Sequence, residues 1–372
     1  MTTTTITVNG ADPYDVLIGN NIMDSIAGLV GRDARKVLIV HQPTLSALSA
    51  QLREGPLAGY EVLMAEIPDG EPAKRIEVAA FCWQIMGTAD FTRTDVVIGF
   101  GGGAATDLAG FVAATWLRGV RVIQIPTTVL GMVDAAIGGK TAVNTSEGKN
   151  LVGTFYAPSA VVVDLDVLAG LDQMEILAGF GEVAKYGFIA EPEILEALES
   201  DVDVATDPTS DVFRHLVELS IGIKARIVGR DFKESGPREV LNYGHTLGHA
   251  VEFAERYKWR HGAAVSVGMM YAAELARLGG RLSDEVVERH RNILTSLQLP
   301  ISYPLDRWDS LLKSMQRDKK TRGGMLRFIV LDDVARPVVL AAPDLSLLFA
   351  AYQEIGFERG AVQKTGPSTK TR

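Results

Sequence analysis

The chain has 372 residues, 47% of them hydrophobic, and carries 46 acidic against 37 basic side chains for a formal charge of −9. That length exceeds the ~250–300 residues at which a single core stops growing, so two domains are expected. The acidic balance argues against nucleic-acid binding, no apolar run of about 18 residues offers a membrane span, and the opening Met1-Thr2-Thr3-Thr4-Thr5 lacks the features of a secretion signal, so a cytoplasmic location is expected.

The first half alternates β-branched runs with helical patterns: Val37 to Val40, Val62 to Ile67, Val96 to Ile98, Val120 to Ile125 and Val161 to Val163. Such alternation predicts a parallel sheet with helices on its faces. Cys82, the single cysteine, lies between Phe81 and Trp83 and reads as a buried, inert thiol. The third run leads into Gly101-Gly102-Gly103, followed by Leu108, Phe111, Val112, Thr115 and Trp116 at helical spacing, so a helix begins at the glycines.

From about Asp172 the pattern turns helical: Glu175 to Ile189, Pro192 to Leu198, Val212 to Val228, Thr246 to Arg256, Ala263 to Leu278, Asp284 to Leu297 and Trp308 to Met315. One late strand pair is expected, Met325 to Leu331 with Pro337 to Leu340. The expected division is an α/β Rossmann-like domain over 1–168, a mainly α-helical domain over 169–362, and a disordered polar tail over 363–372. No internal repeat is present.

Glycines at 101 to 103 allow close backbone approach to a phosphate, and the amides opening the next helix can donate to it. A tight turn explains the same glycines equally well. The spacing departs from the dinucleotide fingerprint. Asp69-Gly70-Glu71-Pro72-Ala73-Lys74 after the second run and Pro126-Thr127-Thr128 after the fourth put polar loops on consecutive strand ends, which predicts a ligand crevice along that edge.

His245 and His249 are four apart, on one face if the segment is helical. Both can share a metal, or one can bind metal while the other meets substrate. His261 opens a further helical pattern, so three of the six histidines fall between 245 and 261. Glu182 has Lys185 one turn on, where a surface ion pair is the ordinary explanation, but the flanking glycines and apolar residues favour close packing against a neighbouring helix over a solvated face. Together Glu182, His245 and His261 read as a metal site with a position open for an oxygen. Gly138-Gly139-Lys140-Thr141-Ala142-Val143-Asn144 and Gly148-Lys149-Asn150 read as glycine-flexed loops whose lysines suit oxyanions, without the spacing of a Walker loop.

Between Asp69 and Lys320 the chain resembles the 3-dehydroquinate synthases, NAD- and metal-dependent cyclases. The resemblance is carried by Asp107-Leu108-Ala109-Gly110-Phe111, Trp116-Leu117-Arg118-Gly119, Pro126-Thr127-Thr128, Val133-Asp134 and Gly138-Gly139-Lys140-Thr141, then by Gly148-Lys149-Asn150-Leu151 and Glu182-Val183-Ala184-Lys185-Tyr186-Gly187. Arg238 through His249, His261-Gly262 and Asp318-Lys319-Lys320 complete it. It implies zinc or cobalt on Glu182, His245 and His261. It implies NAD along Asp69, Glu71, Lys74, Gly102, Gly103, Asp107, Thr127, Thr128, Lys140 and Lys149.

Around a small anionic sugar-phosphate substrate the resemblance implies Asp134, Lys140, Asn150, Lys185, Lys224, Arg238, Asn242, His249 and Lys320, with Arg118 reaching its phosphate from the second subunit of a homodimer. The implied reaction turns 3-deoxy-D-arabino-heptulosonate 7-phosphate into 3-dehydroquinate and phosphate by transient oxidation, β-elimination, re-reduction and aldol closure, within aromatic amino acid biosynthesis. Gly181 and Ala184 stand where bulkier residues are expected, a difference of packing. A sister cyclase acting on a substrate without a carboxylate, a polyol dehydrogenase and a noncatalytic binding protein are the rival readings.

Overall fold

The structure is a computed structural model and describes residues 3–320 and 326–358. Seven strands form one sheet: β1 (Thr4–Val8), β2 (Tyr14–Gly19), β3 (Lys36–His41), β4 (Glu61–Glu66), β5 (Val96–Gly101), β6 (Arg121–Pro126) and, after an intervening hairpin of β7 (Lys140–Thr145) and β8 (Gly148–Phe155), β9 (Ala160–Asp164). Their spatial order is β1-β2-β9-β6-β5-β3-β4, parallel throughout except for β1 against β2.

The continuous apolar runs follow from burial on both faces of a parallel sheet. Leu38 and Val40 of β3 pack with Cys82 and Leu108, on the side of α3 (Ile76–Thr88) and α4 (Gly103–Thr115), whereas Val37 and Ile39 pack with Ile26 and Leu52, on the side of α1 (Ile26–Val30) and α2 (Ser46–Glu54). Cys82 is buried, and burial pushes its thiol up to about 12, as an inert packing residue requires. Strand order reverses at β3, whose neighbours are β4 and β5, so the loops after β3 and β5 splay apart and leave a crevice at their carboxyl ends.

The second half is helical as expected: α5 (Gln173–Ile189), α6 (Pro192–Ser200), α7 (Val202–Thr206), α8 (Asp211–Arg230), α9 (His245–Ala254), α10 (His261–Leu278), α11 (Asp284–Ser296), α12 (Trp308–Lys320) and α13 (Leu345–Ile355). Short strands β10 (Tyr303–Pro304) and β13 (Gly356–Phe357) pair in parallel, and β11 (Arg327–Asp333) with β12 (Arg336–Ala341) makes the late antiparallel pair. Asp172, Ser210 and Ser283 cap the first turns of α5, α8 and α11 through their side chains. One apolar cluster joins Val16, Ile18 and Val163 of the sheet to Phe180, Phe213 and Val265 of the helices.

One expectation changes. The blocks Gly138–Asn144 and Gly148–Asn150, expected as flexed loops, are the β7–β8 hairpin, with Thr141, Ala142 and Val143 buried while β8 stays largely solvent-facing. Gly153 permits the pairing, since a Cβ there would lie 2.4 Å from the Thr141 carbonyl oxygen. Thr4 and Thr5 belong to β1, whose half-buried Thr4 and Ile6 and buried Val8 alternate with exposed Thr5 and Thr7 at the sheet edge beneath α8. The tail 363–372, Met325 and the side chain of Lys320 lie outside the described residues.

Candidate active site

Glu182, fully buried on α5, meets His245 at the start of α9 and His261 at the start of α10, with one ligand atom from each within 4.8 Å of the others. Glycines bring the three helices together. A Cβ on Gly262 would stand 1.7 Å from the Ala178 carbonyl oxygen of α5, and one on Gly268 1.8 Å from the Gly244 carbonyl oxygen before α9, so α10 touches both neighbours backbone to backbone. Gly181 is explained by the same crossing, because its Cβ would lie 2.9 Å from the Gly262 carbonyl oxygen.

The imidazoles are oriented from behind. His245 Nδ1 lies 3.0 Å from the Tyr243 carbonyl oxygen and His261 Nδ1 lies 3.4 Å from Glu252 Oε1. A ring whose Nδ1 faces an acceptor keeps its proton there and presents a lone pair at Nε2. These Nε2 atoms stand 3.3 and 3.4 Å from Glu182 Oε1. Both Glu182 oxygens are buried with no donor in hydrogen-bonding geometry, although Lys185 Nζ lies against Oε2 as an ion pair. Two lone pairs and a carboxylate converging in this way fit zinc or cobalt with a coordination position left for an oxygen.

The charges agree with that fit. Burial alone would raise the Glu182 carboxyl, but Lys185 and then His245 outweigh it and hold it at about 2. Burial, followed by Lys185, pushes His245 down to about 3. For His261 burial is overcome by the facing carboxylates of Glu182 and Glu252, which lift it to about 10. The imidazoles diverge because only His261 lies between two carboxylates. A proton there supplies the positive charge that a cation would otherwise bring.

His261 also stands where two cavities meet. The larger, about 990 Å³, runs along the carboxyl ends of the strands past Gln42, Gly102, Gly103, Thr127 and Thr128 to Gly262. At the start of α4 the Gly102 amide donates to Gln42 Oε1 at 3.2 Å and the Ala105 amide to the Gly102 carbonyl at 3.0 Å, leaving the amides of Gly103 and Ala104 as donors beside this cavity. A Cβ at Gly103 would reach 3.0 Å from that of Ala135, and one at Gly101 2.8 Å from Gln42 Oε1, so glycine keeps the loop low. An elongated crevice with helix-end amides fits a dinucleotide's pyrophosphate. Asp69 is exposed beside Gly70, which lines the cavity. Glu71, Lys74 and Lys149 border neither cavity, while Asp107 and Lys140 line the smaller one.

That smaller cavity, about 480 Å³, gathers eight of the residues expected at the substrate: Asp134, Lys140, Asn150, Lys185, Lys224, Arg238, Asn242 and His249. Lys224 Nζ donates to both the carbonyl and the carboxylate of Asp134. Burial would raise Asp134, but Lys224 and then Lys185 hold it well below the ordinary carboxylate range, while burial pulls Lys224 down to about 8 against the attraction of Asp134. Arg238 is buried, donating to the carbonyls of Gly138 at 3.2 Å and Phe232 at 2.6 Å, and its Nε has no hydrogen-bond partner among the described residues. Lys185, only 1% exposed, donates at 2.9 Å to the Leu241 carbonyl, so its pairing with Glu182 is a buried contact and not the surface pair that its spacing suggests.

Arg118 lies apart, exposed on a turn where Leu117 and Arg118 both take positive φ. Two carboxylates not expected from sequence join the site. Glu234 pairs with Lys140 and accepts from Asn242 at 3.0 Å, and Glu252 faces His261. Glu252 had a signal, since it follows His245 by seven residues and His249 by three, on the same helix face; Glu234 sits in a turn with none.

The geometry agrees with the comparisons. Residues 64–178 match the family model described as 3-dehydroquinate synthase N-terminal, and 179–321 match 3-dehydroquinate synthase C-terminal. A curated 3-dehydroquinate synthase of Leifsonia xyli subsp. xyli is 69% identical over 353 residues, covering 95% of this chain and 98% of the relative. One of Paenarthrobacter aurescens is 59% identical over 343 residues, covering 92% and 94%. Among solved structures, 2-deoxy-scyllo-inosose synthase complexed with carbaglucose-6-phosphate, NAD+ and Co2+ aligns with a TM-score of 0.85 at 26% identity, covering 94% of this chain and 100% of that one. The 2-epi-5-epi-valiolone synthase of Streptomyces hygroscopicus subsp. jinggangensis, with NAD+ and Zn2+ bound, aligns with a TM-score of 0.85 at 25% identity, covering 92% and 96%. This chain, matched along both halves, belongs to the 3-dehydroquinate synthase family.

Proposed function

We propose that this chain is a 3-dehydroquinate synthase that converts 3-deoxy-D-arabino-heptulosonate 7-phosphate to 3-dehydroquinate and phosphate, using NAD and one zinc or cobalt ion. The observation that carries this reading is the convergence of Glu182, His245 and His261 at the junction of the two cavities. The relatives' names and the NAD+ with Co2+ or Zn2+ in two structural neighbours support it.

When bound, the nicotinamide takes and returns a hydride at an alcohol carbon and the cation polarises the oxygen there. The chain's own residues prepare that place. Lys140, Lys224 and Arg238 give the smaller cavity the positive charge that a carboxylate and a phosphate need. The unpartnered Arg238 Nε is a buried donor suited to the carboxylate, which favours this substrate over that of a sister cyclase lacking one. Asp134, held ionised by Lys224, accepts hydrogen bonds and orients the Lys224 ammonium, and His249 with Asn242 is placed to exchange hydroxyl protons.

In this reading 1–168 is the nucleotide-binding domain and 169–362 the metal and substrate domain, with Asp69, Glu71, Lys74, Asp107 and Lys149 on the nucleotide side. Arg118 reaches the phosphate across a homodimer, and Lys320 is assigned to the substrate residues. No helix among the described residues is long and apolar enough to cross a membrane, in keeping with a cytoplasmic enzyme. The test is phosphate release from the heptulosonate phosphate with trace NAD and zinc, with and without chelator. Chelator-sensitive release without NADH accumulation is expected; no turnover, or one NADH per phosphate, overturns the reading.

A further inference from the structure

We propose that Glu252 is a positioning residue that sets the affinity of the cation site through His261 and links that site to the nucleotide side of the molecule through Lys149. This rests on the reading of Glu182, His245 and His261 as cation ligands. Glu252 lies two turns beyond His245 on α9 and is only 6% exposed, on a helix whose other buried residues are mostly apolar. A carboxylate in such a place needs partners. Among the described residues, His261 Nδ1 at 3.4 Å and Lys149 Nζ at 3.7 Å both stand against its Oε1.

The first contact fixes the ring. With an anionic acceptor behind Nδ1, the Nε2 lone pair of His261 is directed at the point faced by His245 and Glu182, and the ring gains basicity as a ligand. The second contact leaves the helical half. Lys149 on β8 also lies 3.1 Å from Glu71 Oε2 and 3.9 Å above the Tyr257 ring, and Glu71 accepts from Asn144 of β7 at 2.6 Å. Glu252 is thus the carboxylate at which the cation ligand, the hairpin and the turn after β4 meet.

The experiment measures Co2+ affinity by competition with a chromophoric chelator, together with the visible absorption of the Co2+ protein. Wild type is expected to bind one Co2+ per chain. Glu252→Leu, which removes the acceptor, is expected to bind about 10- to 100-fold more weakly, as loss of an outer-shell partner does, and with a changed absorption band. Glu252→Gln keeps an acceptor oxygen without charge, should fall between, and serves alone if the leucine variant does not fold. Wild-type affinity and absorption in whichever variant folds overturn the proposal. Absence of Co2+ binding by wild type would instead overturn the cation site itself.

Discussion

The carbonyl oxygen of Ala178 would lie 1.7 Å from a methyl group placed on Gly262, the residue after His261. Helices α5 and α10 therefore touch at bare backbone one turn from Glu182, and the ligand geometry is a consequence of that contact. Gly262→Ala must separate the helices, at a cost of about 1–3 kcal/mol or more for overpacking. The variant should unfold at lower urea and bind Co2+ more weakly than wild type. Wild-type stability and affinity together would show that the crossing does not hold the ligands.

His290 supports the same region from behind. Its Nε2 lies 2.8 Å from the Tyr243 hydroxyl and its Nδ1 2.7 Å from the Val286 carbonyl, and its ring stacks on Phe188 at 3.5 Å. Burial pushes it down from 6.5 to about 4 despite the hydrogen bond to Val286. The folded pKa lies below the unfolded one, so between pH 6.5 and 4 the unfolded chain takes up a proton that the folded chain refuses. Stability is complete above pH 6.5 and falls as pH drops, by about 2 kcal/mol at pH 5. Urea midpoints at pH 7 and pH 5 should differ less in His290→Gln than in wild type; equal differences would remove His290 as the cause.

How much of this was legible in sequence depends on burial. Strands β3, β5, β6 and β9 announce themselves because both faces are covered, which enforces unbroken runs such as Val37-Leu38-Ile39-Val40. The β7–β8 hairpin does not, because one strand faces solvent and its glycines and lysines have the composition of a loop. Glu182 and the histidines stand out by type and context. The glycines that bring them together, Gly244, Gly262 and Gly268, carry no spacing that says what lies opposite, and Glu234 becomes a site residue only through the fold that seats it against Lys140 and Asn242.

His249 separates holding a cation from using one. Its ring is 5.2 Å from that of His245 and 6.3 Å from that of His261, and it lines the smaller cavity without belonging to the three-residue group. His249→Phe should keep one Co2+ per chain while turnover falls about 10²–10⁴-fold, the range for a lost acid–base group. His261→Ala should lose the ion and activity with the fold retained. Loss of Co2+ in the His249 variant would make it a ligand, and unchanged Co2+ in the His261 variant would move the site elsewhere.

Lys74 joins the turn after β4 to α4 and β8. It is 4% exposed, and its Nζ lies against Asp107 Oδ2 and Asn150 Oδ1. Burial raises the Asp107 carboxyl while Lys74 opposes the rise, so Lys74→Met leaves a carboxylate with its main counter-charge gone. Breaking one side of a buried pair costs about 3–5 kcal/mol, and the low end is expected because Asp107 keeps 18% of its side chain in contact with solvent. Lys74→Met with Asp107→Leu should recover most of that loss, since neither charge then stands alone. If these residues also contact NAD, the double variant will regain its urea midpoint but not its NAD affinity. Recovery of both would assign the pair to structure only.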